Sequence, residues 1–505
     1  MSKYEIVLTT DRTMMSNHHG REFLGFLATG PALGLPEKLW LWLAAPKVRV
    51  DEEGKPVEAP YGMRKVEAKL IEAGFEAAII DPDYIHKHLD SIKILMLGHH
   101  DYFAYGPPSS EWWMITGKEP INRISFRKLM ESPAVKKAKE KGVKIIAGGP
   151  GAWQWLWELE YWRKWGIDLV IDGEVEKVIV EIVEKALANE PLPDYIYVGP
   201  YDSPSIEEIP VIKSASVNGL VEIMRGCPRG CRFCPVTLRP LKFIPPDIIA
   251  KEIKVNLKAG IKGVLFHSED VLLYGAEGVE PNPEALVKLH NLVRELAGEG
   301  PIGWSHLTLS TVKYAEEKYG LISKLMKDII LVGNQEFMGV QVGIETGSPR
   351  LAKIVMPGKA APYPPGKWPE IVEDAFAIMH ENHIVPAATI ILGIPGETRD
   401  DVVKTAELID KLKPYRSLIV PMFFVPMGAL RHRDWFRKKH VKPEHVDVLL
   451  KTLNHSIYWA EEMMSKFYLK EPSKFPVKLL IKLFIRYVRY RVEKLKPQLE
   501  EWLKG

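Results

Sequence analysis

Cys227, Cys231 and Cys234 are the only cysteines in 505 residues, and they share one short segment, Cys227-Pro-Arg-Gly-Cys231-Arg-Phe233-Cys234. Thiolates are soft metal ligands, and gaps of three and two residues on a loop with Gly and Pro let three of them converge on one metal centre. Three clustered thiols in so long a chain exclude a disulfide framework. A tetrahedral zinc ion would require a fourth protein ligand, and the nearest histidine in sequence is His267. A 4Fe-4S cluster held by three cysteines would instead keep one iron open for a chelating substrate. The spacing by itself leaves both readings open.

A loop of this kind needs a strand to aim it, and residues 221–224 read as one. They begin a strand–helix alternation that runs to about residue 425, with further strands expected at 263–266, 339–343 and 388–392. Before it lies a separate alternation. Residues 5–10, 77–80, 92–97, 143–147 and 168–171 read as strands, and 63–73, 134–141 and 175–188 as helices. Strands alternating with amphipathic helices specify an α/β fold with a parallel, doubly wound sheet, whose ligand crevice lies at the carboxyl ends of the strands. The expected organisation is a Rossmann-like domain over 1–190 and a Pro-rich linker over 191–215. A catalytic core over 216–428 and a helical C-terminal domain over 429–505 follow.

The cysteine spacing, with an aromatic residue just before the last cysteine, resembles the radical S-adenosylmethionine (radical SAM) superfamily. That resemblance implies a partial (β/α) barrel for the core and assigns the three cysteines to a 4Fe-4S cluster that binds S-adenosylmethionine (SAM). It further implies SAM contacts from Phe233, from Ser268 and Glu269 in the segment Phe266-His-Ser-Glu-Asp270, and from Glu345 in Gly343-Ile-Glu345-Thr-Gly-Ser348. Gly393, Ile394 and Gly396 resemble the glycine-bearing adenine motif, although a diglycine is commoner at the Ser268 position. The implied chemistry is reductive cleavage of SAM to a 5′-deoxyadenosyl radical, fed by a ferredoxin- or flavodoxin-type reductant.

A Rossmann-like domain ahead of that core resembles the cobalamin-binding subgroup of the superfamily. Gly148-Gly149-Pro150 and Asp172-Gly173-Glu174-Val-Glu176 carry the resemblance. It implies a cobalamin crevice lined by Thr10, Asp11, Gly98, His99, Gly148, Gly149, Gly173 and Glu174, where glycines permit close backbone approach. No Asp-x-His-x-x-Gly motif occurs, so a histidine ligand to cobalt is not supported. His99 and His100, taken as strand-end neighbours, are expected to face opposite ways. Loss of cobalamin with retention of the fold is the alternative.

Seven of the fourteen tryptophans lie between Trp112 and Trp165, serving either a core or an apolar ligand cavity. Trp153 and Trp157 are spaced for helix packing. Lys474, Lys478, Lys482 and Arg486 recur every four residues in a tail that carries nine basic and three acidic residues over 474–505. That tail reads either as a helix with a solvated basic edge or as a peripheral contact with an anionic membrane. The remainder is mildly acidic: 68 Lys+Arg against 65 Asp+Glu gives +3 for the whole chain, the tail contributes +6, and the rest is −3. A globally basic DNA binder is thereby excluded. Scarce glutamine points to a thermophilic source, and the resemblance extends to archaeal members of the family. The expected location is cytoplasmic, and peripheral at the inner membrane face under the second reading of the tail.

These features together imply carbon methylation or carbon–carbon bond or ring formation on an unactivated carbon of a small molecule, lipid or peptide, with a tilt towards an apolar substrate. A cobalamin-free radical enzyme and a non-catalytic iron–sulfur or corrinoid sensor remain as alternatives. Methylthiolation of tRNA is disfavoured, because relatives doing that chemistry hold a second cluster on additional cysteines and none is available here.

Overall fold

The computed structural model describes residues 4–20, 23–32 and 34–464, with isolated positions between 479 and 497. The chain divides into two compact units, the first comprising 1–221 and 244–264, the second 222–243 and 265–505.

The first unit is built on six parallel strands: β1 (Ile6–Thr9), β2 (Ala77–Ile79), β3 (Ile94–Gly98), β4 (Lys144–Gly148), β5 (Leu169–Gly173) and β6 (Tyr195–Val198). Their order in the sheet is β2-β1-β3-β4-β5-β6, and all five neighbouring pairs are parallel. The central strands are short apolar runs buried on both faces, as a sheet covered by helices demands. Helix α1 (Tyr61–Glu72) and α4 (Ile179–Leu187) cover one face; α2 (Ile121–Met130) and α3 (Pro133–Glu140) cover the other. In α4 the buried residues Ile179, Ile182, Val183 and Ala186 recur at helical spacing. Helix α5 (Pro246–Lys258) also belongs to this unit. Its Glu252 accepts from Lys65 Nζ at 2.6 Å and from Tyr61 Oη at 2.7 Å, both on α1.

Strand β6 falls inside the segment read from sequence as linker. Residues 195–198 complete the sheet edge, and Tyr195 Oη donates to Asp172 Oδ2 at 2.7 Å. The tryptophan-rich segment is divided between core and surface. Trp155 and Trp165 are buried with Phe103 and Phe126, and the Phe103 and Trp155 rings meet edge-on at 4.9 Å. The helix spacing expected for Trp153 and Trp157 does not apply, because residues 152–157 form a 3-10 turn that turns Trp155 inward and leaves Trp157 57% exposed.

The second unit starts within β7 (Leu220–Glu222) and continues through β8 (Val264–His267), β9 (Ile302–Trp304), β10 (His306–Leu307), β11 (Met338–Glu345), β12 (Ile384–Leu392) and β13 (Leu418–Phe423). Sheet order follows chain order, as β9-β8-β7 and β10-β11-β12-β13. Backbone bonds make the succession continuous. Ile223 N donates to His267 O, Ser305 N donates to Phe266 O, and Gln341 N donates to Ser305 O. Helices α6 (Pro283–Ala297), α7 (Leu309–Tyr319), α8 (Pro349–Val355), α9 (Trp368–Glu381) and α10 (Arg399–Lys411) alternate with these strands. This is the partial (β/α) barrel expected from the sequence. Helix α11 (Pro443–Met463) packs on α10 and β13. Of the basic stripe, Lys474 and Lys478 lie outside the described residues; no helix among those described is long and apolar enough to cross a membrane.

Candidate metal centre

After β7 the backbone forms a short antiparallel pair, Met224–Arg225 with Lys242–Phe243, and the three cysteines occupy the loop that this pair closes. Gly226 sits at the loop entrance with φ +85°, where a side chain would run into the Pro240 and Arg239 carbonyls. Cys231 is buried, and Cys227 and Cys234 are partly buried. Thr237 Oγ1 donates to the carbonyls of Cys231 and Cys234, and Arg232 N donates to Val355 O at 2.9 Å. Burial pushes the Cys227 thiol up to about 11 and the Cys234 thiol up to about 12, with Glu269 adding to the latter; burial also raises Cys231. Three thiolates in this setting call for a cationic centre to compensate them. Among the described residues no three His, Cys, Asp or Glu side chains group around a single ion, the arrangement that mononuclear zinc needs.

Arg229, inside the cysteine loop, was not singled out in the sequence. Its buried guanidinium donates through Nη1 to the carbonyls of Gly358, Lys359 and Ala361, and through Nη2 to Thr311 Oγ1 and to Asp270 Oδ2. Asp270 is fully buried, and burial raises its carboxyl against the opposing effect of Arg229. Neighbouring Ser268 contributes a buried Oγ with no hydrogen-bond partner, and Glu269 is raised by burial.

At the far end of β11 the register slips between Gly343 and Glu345, and Glu345 takes φ +61°. This bulge turns the carboxylate towards Lys359 Nζ, which donates to Oε1, while Thr389 Oγ1 donates to Oε2 at 3.2 Å. Lys359 is only 8% exposed, and its side chain was not anticipated from sequence. Beyond β12, a side chain at Gly393 would collide with the Phe436 ring, whereas the space beside Gly396 is open. Glu397 closes this turn, accepting from Gly393 N at 2.8 Å and facing His445 Nε2 at 3.0 Å. Ile394 is buried, and Phe233 is partly buried. Cys227, Cys231, Cys234, Ser268, Glu269, Glu345, Gly393 and Gly396 therefore all follow or end strands of one barrel.

Comparison with known proteins agrees with this construction. Residues 221–409 match the model of the radical SAM superfamily. This part of the chain is a radical SAM domain. Among curated relatives, the tRNA-2-methylthio-N(6)-dimethylallyladenosine synthase of Thermotoga petrophila is 24% identical over 55% of this chain and 57% of its own. An uncharacterized protein of Methanopyrus kandleri, MK0932, is 26% identical over 40% of this chain and 38% of its own. The match thus spans between 38% and 61% of the length of these curated relatives. The radical SAM domain and the unit before it share their fold with the radical S-adenosylmethionine methyltransferase TsrM from Kitasatospora setae. In a structure with cobalamin and a [4Fe-4S] cluster bound, the TM-score is 0.52 at 14% identity, covering 83% of this chain and 75% of that one. A second TsrM structure, with tryptophan and aza-SAM bound, gives a TM-score of 0.53.

In the first unit, Thr10, Asp11, Gly98, His99, Gly148, Gly149, Gly173 and Glu174 gather at the carboxyl ends of β1, β3, β4 and β5. His99 Nδ1 accepts from Asp101 N at 2.8 Å, so its Nε2 carries the proton and faces Asp11 Oδ2 at 3.2 Å. Burial opposes ionisation of Asp11, yet His99 and hydrogen bonds from Thr13 and Met14 hold its carboxyl below the ordinary range. His99 and His100 do not face opposite ways: both lie beyond the last residue of β3, where strand alternation no longer governs, and their rings stack at 5.3 Å. The glycines of the β4 loop serve the chain itself. A side chain at Gly149 would press on the His99 carbonyl, and one at Gly151 on the His100 carbonyl. One polar atom here is unclaimed: Thr10 Oγ1 is buried and has no hydrogen-bond partner.

Proposed function

We propose that the protein is a radical SAM enzyme that holds a 4Fe-4S cluster on Cys227, Cys231 and Cys234, binds SAM across the barrel mouth, and modifies an unactivated carbon with cobalamin as a second cofactor. The observation that carries this reading is the convergence, at one barrel end, of the three-cysteine loop after β7, the bulged Glu345 at the end of β11 and the open glycine turn after β12. With cluster and SAM bound, the cofactors supply a one-electron cleavage of the sulfonium and a radical able to take hydrogen from carbon.

The chain's own residues set where that happens. Arg229 fixes the cysteine loop against the 358–361 backbone. Glu345, held by Lys359 and Thr389, offers a fixed acceptor for the hydroxyls of the bound nucleoside. Gly396 leaves room for the adenine face, and Ser268 Oγ is a hydroxyl without a hydrogen-bond partner at the end of β8, the strand beside β7. His306, which burial pushes down to about 4, is neutral at pH 7 and so adds no charge to the barrel interior. In the first unit, the orphaned Thr10 hydroxyl, next in the chain to Asp11 and its His99 partner, suits the polar edge of a corrin.

A methyltransfer or carbon–carbon bond-forming reaction on a small, lipid or peptide substrate follows from this cofactor pair, with an external one-electron reductant. Methylthiolation is not carried over from the curated relatives, since all three cysteines belong to one loop and none is left for a second cluster. The test is oxygen-free purification with iron, sulfide and corrinoid measured in the same sample. About four irons and four sulfides with one corrinoid per chain are expected for the ligand sets above. Cluster without corrinoid would reduce the reading to a cobalamin-free radical enzyme, and absence of both would overturn it.

A further inference from the structure

Lys359 is an unusual residue to find where it is. Burying a lysine and a glutamate together costs desolvation of two charges, and such a pair is a weak way to stabilise a fold. Here the backbone is shaped to receive it. Gly343 is the residue beside the pair, and any side chain there would collide with both Glu345 Oε1 and Lys359 Nζ. The Glu345 backbone takes φ +61° at the bulge, a conformation that non-glycine residues avoid, and this turns its carboxylate to the ammonium. The lysine backbone is held as firmly. Its carbonyl accepts from Arg229 Nη1 at 3.1 Å and from Ser310 Oγ at 2.6 Å, and Arg229 belongs to the cysteine loop. A side chain at Gly358 would run into the Arg229 carbonyl, and Arg232 N donates to Val355 O at 2.9 Å, so the cysteine loop lies directly against the segment that carries Lys359.

We propose that Lys359 is a positioning residue that holds the Glu345 carboxylate and places a fixed positive charge against the cysteine loop, thereby setting the reduction potential of the cluster. This rests on the cluster assignment made above. A cluster gains one negative charge on reduction, so a nearby buried cation favours the reduced form and a nearby anion disfavours it. Lys359 and Glu345 are then a matched pair of opposite levers on one couple.

The experiment is an EPR-monitored redox titration of the cluster in SAM-free, oxygen-free full-length protein, with dithionite as the one-electron donor. Lys359→Met should move the midpoint to lower potential, and Lys359→Arg should hold it near wild type. Glu345→Gln should move it to higher potential, and the double variant should fall between the two singles. A tenfold change in the reduced-to-oxidised ratio at fixed potential, about 59 mV for one electron, is the size expected. Lys367→Met, at an exposed lysine paired with Glu370, serves as the control and should leave the potential unchanged. If Lys359→Met does not load a cluster, the sign of the Glu345→Gln shift still decides. Unchanged potentials in both charge variants, or shifts of the same sign, would overturn the proposal. Wild-type protein that holds no titratable cluster would instead overturn the cluster assignment.

Discussion

Arg229 Nη1 lies 3.1 Å from the carbonyl oxygen of Lys359, so a residue of the cysteine loop ties down the backbone that carries the lysine beside Glu345. The proposed cluster ligands and the proposed nucleoside contact are thus joined through one buried guanidinium. Replacing Arg229 by alanine removes three carbonyl bonds and leaves Asp270 buried without its cation. A loss of about 3–5 kcal/mol is expected for breaking such a pair. Thermal unfolding should show it, and iron content after reconstitution should fall even under conditions where the variant stays folded.

The two glycines after β12 should respond differently to alanine. At Gly393 the new methyl group meets the Phe436 ring and the backbone has φ +77°, so overpacking of about 1–3 kcal/mol adds to about 1–2 kcal/mol of backbone strain. Gly396→Ala meets no atom and should cost only the strain, at φ +91°. Its effect should appear instead as weaker binding of a SAM analogue, measured by calorimetry on the cluster-loaded protein.

Asp401 should make stability depend on acid pH. It caps the start of α10, accepting from Thr398 N and Thr398 Oγ1 at 2.7 Å, and it pairs with Arg350 and Ser348. Burial opposes its ionisation, but these partners outweigh burial and hold the carboxyl well below the ordinary range. A carboxylate depressed in the folded state stabilises above its unfolded value, about 3.9, and the contribution is lost as pH falls towards the folded value. Asp401→Ala should therefore cost about 1–2 kcal/mol at pH 7. Chemical denaturation at descending pH should show the gap from wild type narrowing below about pH 4.

Thr10 offers a test of the first unit. Its hydroxyl is buried and unsatisfied, so Thr10→Val, of nearly the same shape, should stabilise the cofactor-free protein by about 1 kcal/mol. If the hydroxyl serves a bound corrin, the same variant should retain less cobalamin after gel filtration. Gain of stability with unchanged corrinoid content would assign the hydroxyl no part in binding.

What the sequence disclosed depended on whether residue type and spacing were enough. The cysteine loop was legible because thiols are rare and three of them in one loop have few uses. Glu345 and the Gly393 turn were legible as strand-end features in the right order. Lys359 was not, because it reaches Glu345 only through the path of the chain after α8, and no local pattern marks a lysine between prolines and alanines. Strand β6 was masked by the Pro and Gly residues that flank four residues at the sheet edge. The glycines after β4 were read as space for a ligand, whereas the His99 and His100 backbone already fills that space. The stacked histidines escaped the alternation rule because the strand ends one residue before them.

The central claim is that the three-cysteine loop and the Glu345 and Gly396 elements act together on SAM. It is tested most directly by incubating oxygen-free, cluster-loaded, dithionite-reduced protein with SAM and measuring 5′-deoxyadenosine by mass spectrometry. Time-dependent formation that is abolished by Cys231→Ala is the expected result. A full, reducible cluster that leaves SAM intact would contradict the enzyme reading and favour a cluster-bearing sensor.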